Sequence, residues 1–258
     1  MATPPAPRMD RLLELTYQAE QTHFWFRGFR QFIGLLLDRA TADLTSPRLL
    51  DCGCGTGSNL EMLGRYGRAS GFDVTWIGVQ FAHAHGQRVA QASIGAIPFA
   101  DATFDVVTSF DVFQCLPDAI ERQSLREMAR VLKPGGWLVL NVSALEMLHG
   151  RHSVLSQEVR RYSRGTLRAL VASAGLRTER LTFVHAALFP LILPVRLWHR
   201  VAAGDGEVPP GEEEITVPSA PVNAALSALV TLEALALRVV DMPIGSSLMC
   251  LAQKSEKR

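Results

Sequence analysis

Three glycines at alternate positions, Gly53, Gly55 and Gly57 in LLDCGCGTGSNLEML, follow an apolar run that ends in the acid Asp51. A residue without a Cβ lets the backbone approach a ligand closely. A strand, a loop and a helix in that order aim N–H groups and a helix N-terminus at it. A second acid, Asp73, closes the run SGFD twenty-two positions after Asp51. At the end of a second strand such a carboxylate can accept hydrogen bonds from both hydroxyls of a ribose. Dinucleotide folds favour G-x-G-x-x-G, whereas the spacing here is G-x-G-x-G behind an acid.

Such a loop needs a parallel sheet to hold it. From residue 47 onward, short apolar runs alternate with helical segments, the pattern of a doubly wound, Rossmann-like α/β fold. The expected strands are Arg48–Cys52, Ala69–Phe72, Val89–Gln91, Phe104–Ser109, Trp137–Val142, Arg180–Val184 and Ser247–Lys254, with helices near 58–66, 76–86, 118–132 and 164–174. KPGG, Lys133–Gly136, should end a helix and turn into the next strand. Upstream, RMDRLLELTYQAE and GFRQFIGLLLDRA read as two helices. Between His185 and Ser247 lie about sixty residues, too many for a structureless loop. They comprise AALFPLILPVRLWHR, the acidic GDGEVPPGEEE and the helix-like PVNAALSALVTLEALALRVVD. The expectation is one domain over 1–258, built on a mostly parallel seven-stranded sheet with helices on both faces. Its parts are a helical cap (1–46), a core (47–185), a helical insertion (186–245) and a last strand (246–258).

Four stretches in this order, LLDCGCGTG, GFDVT, IPFADATFDVVTSFDVF and REMARVLKPGGWLVL, resemble the class I S-adenosylmethionine (SAM)-dependent methyltransferases over residues 48–143. HFWFRGFR, HGRHS, RRYS and LFPLILPVR further resemble a bacterial branch of type 11 methyltransferases whose shared motifs fix no substrate. The resemblance implies SAM as cofactor. It places Asp51 at the methionine amino end, Gly53 and Gly55 where the backbone approaches, and Asp73 at the ribose. It also implies that Val74, Ser93 and Ile94 border the adenine and that Phe110 lines the methyl-donor pocket. Ser93 departs from the commoner acid. Cys115 stands where many relatives have histidine, so a base there is absent.

On the acceptor side, methyl transfer rests largely on positioning, and a base is needed only when the acceptor must lose a proton. YQAEQTHFWFRGFR supplies Tyr17, His23, Trp25, Arg27 and Arg30; the aromatics could cap the cofactor and an arginine pair with its carboxylate. The alternative is a helix that packs Phe24, Trp25 and Phe29 into the core. HGRHSVLSQEVRRYS adds His149, His152, Arg160, Arg161 and Tyr162; His152, Tyr162 and His23 are the candidate bases. His149 and His152 lack a carboxylate or third ligand nearby, so no metal site is expected. The arginines suit either a solvated helix face or an anionic acceptor.

A net charge of +1, no appended basic domain and SFDVFQ in place of an Asn/Asp-Pro-Pro-aromatic turn argue against a nucleic-acid substrate. Cys52, Cys54, Cys115 and Cys250 form no C-x-x-C pair and read as reduced thiols of a cytoplasmic protein. MATPPAPRMDR lacks an apolar core and reads as a disordered lead rather than a signal peptide. The helix-like stretch 222–241 aligns Asn223, Ser227, Thr231 and Arg238 in one stripe and is apolar elsewhere. That face should be buried on the domain itself, roofing an apolar acceptor site, with a second copy or a membrane surface as the other two partners open to it. The expected activity is methyl transfer to a small, hydrophobic or lipid-linked acceptor. The rivals are a catalytically silent SAM-binding protein and a nicotinamide oxidoreductase, which would want the dinucleotide fingerprint.

Overall fold

The computed structural model describes residues 17–148, 157–191, 193–194 and 217–256. A helical turn at 17–22 precedes α1 (Phe24–Thr41). There follow β1 (Arg48–Cys52), α2 (Ser58–Leu63), β2 (Arg68–Asp73), α3 (Trp76–Ala84), β3 (Val89–Gln91) and β4 (Phe104–Phe110). Next come α4 (Asp118–Val131), β5 (Leu132–Ser143), α5 (Arg164–Ser173), β6 (Leu176–Val184), α6 (Ala220–Ala236) and β7 (Ser247–Lys254). The seven strands form one sheet in the order β3-β2-β1-β4-β5-β7-β6, with only β7 antiparallel to its neighbours.

The central strands read as near-continuous apolar runs because both of their faces are covered. Side chains alternate between faces, so neighbouring residues enter different cores. Leu50 and Val107 join Leu125, Met128 and Leu138 on one side, while Leu49 and Val106 join Phe32, Ile33, Leu37 and Val139 on the other. Six of the seven strand readings differ from the observed spans by only a few residues or not at all; the KPGG reading needs correction. Lys133–Gly136 lies inside β5 as a bulge: Leu132 pairs with Phe104 and Trp137 with Val106, and Gly135 takes a φ of 77°. A glycine tolerates that left-handed conformation, and the extra residues re-aim the strand.

The first predicted helix lies outside the described residues up to residue 16, and the second begins at Phe24 rather than at Gly28. His23 is the N-cap of α1, its Nδ1 accepting from the Trp25 N–H at 3.1 Å. The Phe24 N–H donates to Asn223 Oδ1 at 2.8 Å, so α6 completes the cap from far along the chain. A side chain at Gly28 would put its Cβ 2.0 Å from Val230 Cγ1, and the missing side chain is what seats α6 on α1. Gln31 also donates to Thr231, at 3.1 Å. The Asn223–Thr231 stripe thus faces α1, and the buried Glu233 accepts from the N–H groups of Ala186 and Ala187 at 2.9 and 2.8 Å. Leu232, Leu235 and Val239 of the apolar face stay exposed, at 63%, 54% and 88%. Among the described residues no helix is long and apolar enough to cross a membrane.

Candidate active site

The glycine loop leaves the carboxyl end of β1 and turns under the end of β2. The N–H groups of Gly53 and Cys54 both donate to the Phe72 carbonyl, at 2.9 and 3.0 Å. Gly53 holds a φ of 81°, and a Cβ there would meet Val112 Cγ2 at 2.4 Å. Gly55 holds a φ of 51°, and a Cβ built on it meets nothing within 4 Å. The loop is therefore clamped on one side by β4's continuation and open at Gly55.

Two carboxylates frame that opening. Asp51 is 1% exposed, and its Oδ1 accepts from the Thr108 hydroxyl at 2.7 Å. Burial pushes its carboxyl up to about 7, with the Thr108 hydrogen bond opposing and the Asp73 charge adding to the rise. Asp73 accepts from the Gly55 N–H at 2.9 Å through Oδ2 and from the Thr75 N–H and hydroxyl at 2.8 and 2.7 Å through Oδ1. Three of its roughly four lone-pair directions are thus engaged in shaping the loop. Val74 is 67% exposed beside it, Ile94 is buried, and the exposed Ser93 accepts from the Gly95 N–H at 3.2 Å. An anion-lined opening with a bare glycine and a surface apolar residue suits a ligand that joins a cationic amino end to a nucleoside.

The N-terminal turn lies over this loop, first through Glu20 and Thr56, which sequence reasoning did not single out. The Thr56 hydroxyl donates to Glu20 Oε2 at 2.8 Å, and burial raises the Glu20 carboxyl. Tyr17 donates to Glu61 of α2 and sets its ring against Phe81 of α3 and His85 at its C-cap, with centroids 5.5 and 4.7 Å apart. Arg30 donates to the Glu20 carbonyl. Trp25 instead stacks on His185, with centroids 3.6 Å apart and planes at 8°. Among the described residues neither ring nitrogen of the buried His185 has a hydrogen-bond partner, and burial drives its imidazole down to about 3.

The two candidate bases among the described residues, His23 and Tyr162, are each held by other contacts. His152 lies outside the described residues, as does His149. The His23 imidazole is committed to its capping bond, and burial lowers it. Tyr162 is 4% exposed; its hydroxyl donates to the Phe113 carbonyl at 3.3 Å and to Glu121. Burial and Glu121 both raise the phenol, away from any readiness to take part as a base. Phe110 does reach the sheet's carboxyl edge, edge-on to Phe29 with centroids 5.5 Å apart. The next residue, Asp111, sits at the same edge. Its signal in the sequence was position alone: an acid directly after the strand in SFDVF. Among the described residues no group of three or more His, Cys, Asp or Glu side chains is arranged to hold a metal.

Known proteins share these features. Residues 50–140 match the family model described as a methyltransferase domain. A probable phthiotriol/phenolphthiotriol dimycocerosates methyltransferase of Mycobacterium ulcerans is 34% identical over 51% of this chain and 50% of that protein. The chain thus spans about half the length of that relative. A probable S-adenosylmethionine-dependent methyltransferase of Mycobacterium tuberculosis is 27% identical over 87% of this chain and 82% of its own. Among solved structures, a Haloferax volcanii methyltransferase in complex with the Trm112 methyltransferase activator shares the fold. Its TM-score is 0.61 at 20% identity, covering 97% of each chain. The glycine loop, both strand-end acids and strands β2 to β4 lie inside the matched residues 50–140, and that stretch of the chain is a methyltransferase domain.

Proposed function

We propose that the chain transfers a methyl group from SAM to a small acceptor with a hydrophobic or lipid-linked body. The observation that carries this reading is the convergence at one sheet edge of the open Gly55, the framing acids Asp51 and Asp73, and the apolar wall of Phe29 and Phe110. Asp51 would face the methionine amino group, Gly53 and Gly55 would admit the methionine chain, and Asp73 would take the ribose hydroxyls. Val74, Ser93 and Ile94 would border the adenine. When bound, SAM supplies an electrophilic methyl on a sulfonium, and the protein's part is to orient the acceptor and keep water out. Helix α1 contributes the apolar wall, and α6 holds α1 in place through Val230 and Asn223. The name of the Mycobacterium ulcerans relative supports a lipid-like acceptor.

The test incubates the protein with methyl-labelled SAM and separate organic and aqueous extracts of bacterial cells. Label should enter an organic-soluble product. Label confined to aqueous products would sink the hydrophobic acceptor, and SAM binding without label in either extract would favour the silent SAM-binding protein.

A further inference from the structure

Asp111 leaves the carboxyl end of β4 with a φ of 57°, a left-handed conformation uncommon outside glycine though tolerated by Asp. Three hydrogen bonds hold it there. Its N–H donates to the Asn141 carbonyl at 3.0 Å, while its Oδ1 accepts from Asn141 Nδ2 at 2.8 Å and Gln114 Nε2 at 3.3 Å. Asn141 and Gln114 are only 1% and 3% exposed, so two buried amides are aimed at one carboxylate oxygen. Asp111 itself is exposed, and among the described residues its Oδ2 has no hydrogen-bond partner. On one side the neighbouring Val112 packs against Gly53 of the cofactor loop; on the other Phe110 faces Phe29. One oxygen is fixed and the other is left without a protein partner among the described residues, between the cofactor loop and the apolar wall, so the residue keeps accessible surface while its carboxyl is largely desolvated.

We propose that Asp111 Oδ2 receives the proton that the acceptor sheds, and that the acceptor therefore presents a hydroxyl or an amine rather than a carboxylate. This rests on the methyl-transfer reading above. The acceptor's lone pair forms the new bond to the methyl carbon, the C–S electron pair stays on sulfur, and the O–H or N–H proton ends on Asp111, which later yields it to water. An anionic carboxylate at this edge would repel a carboxylate acceptor, and such an acceptor has no proton to give up. The facing charges come from two segments. Glu158 and Arg161, paired at 2.7 Å, approach from the segment before α5, and the Cys115 thiol lies on the loop after β4. Burial pushes the Asp111 carboxyl up to about 6, Gln114 and Asn141 oppose this, Glu158 adds to it and Arg161 opposes. It is ionised at neutral pH and still a stronger base than an ordinary carboxylate.

The test uses Asp111→Asn, three probes that share an octyl chain (4-octylphenol, octylamine and octanoate), and carboxyl NMR of the protein saturated with S-adenosylhomocysteine. Wild-type Asp111 should titrate well above ordinary aspartates, and its resonance should move on adding octylphenol or octylamine. Transfer to those two probes should fall roughly 10²–10⁴-fold in the variant, with SAM affinity held within about twofold. An ordinary titration, a resonance unmoved by all three probes, octanoate as the best wild-type acceptor, or unimpaired transfer in the variant would each overturn the assignment. Wild-type protein that binds no SAM would overturn the methyl-transfer reading instead.

Discussion

Replacing Asp51 by asparagine should make the folded chain more stable above pH 7 and at the same time remove its hold on the cofactor. Burial lifts the Asp51 carboxyl from 3.8 to about 7. Each tenfold change in proton affinity is worth about 1.4 kcal/mol, so keeping the ionised form inside the fold costs about 4 kcal/mol. The sign follows from proton binding. Below pH 3.8 the folded and unfolded chains both hold the proton, and Asp51 contributes nothing. From there to about pH 7 the unfolded chain releases it while the folded chain keeps it, so stability falls as pH rises. Above that window the full cost applies. Asparagine keeps an Oδ1 for the Thr108 hydroxyl and carries no charge. Urea unfolding should show the advantage of Asp51→Asn over wild type growing by about 2–3 kcal/mol between pH 5 and pH 8. The raised carboxyls of Asp111, Glu20 and Glu233 share this sign but are common to both proteins and cancel in the difference. Calorimetry should show SAM binding lost. An advantage of the same size at both pH values would refute the electrostatic reasoning, and unchanged SAM affinity would refute the role given to Asp51.

Two further outcomes separate architecture from chemistry. Gly53→Ala drives a methyl against Val112 at a φ of 81° and should cost about 2–4 kcal/mol, whereas Gly55→Ala meets no neighbour, should cost about 1 kcal/mol, and should weaken SAM binding tenfold or more; urea unfolding paired with calorimetry checks both. Tyr162→Phe removes the hydroxyl from Glu121 and should lower stability by about 1–3 kcal/mol while leaving SAM affinity and turnover within a few-fold of wild type, so a turnover loss of a hundredfold in a folded variant would restore Tyr162 as a base.

The residues around the glycine loop were legible from the chain itself because their information is local. Arg48–Cys52, Gly53–Gly57 and the acid of SGFD lie within one short run, and the period of the apolar residues announces the strands that carry them. The same reasoning misplaced KPGG, because whether two glycines turn a helix into the next strand or bulge inside that strand depends on the register with β4. Only the tertiary structure decided the rest. Asn223 caps α1 across 199 positions, Glu20 reaches the loop at Thr56, and Trp25 stacks on His185. Asp111 became a candidate only when Asn141, thirty positions on, was seen to orient it. A hydrogen bond between distant residues leaves no period in the sequence, since either partner alone is compatible with a solvated surface. Burial then sets the charge state: what lifts Asp51 and Asp111 away from an ordinary carboxyl is the protein folded around them.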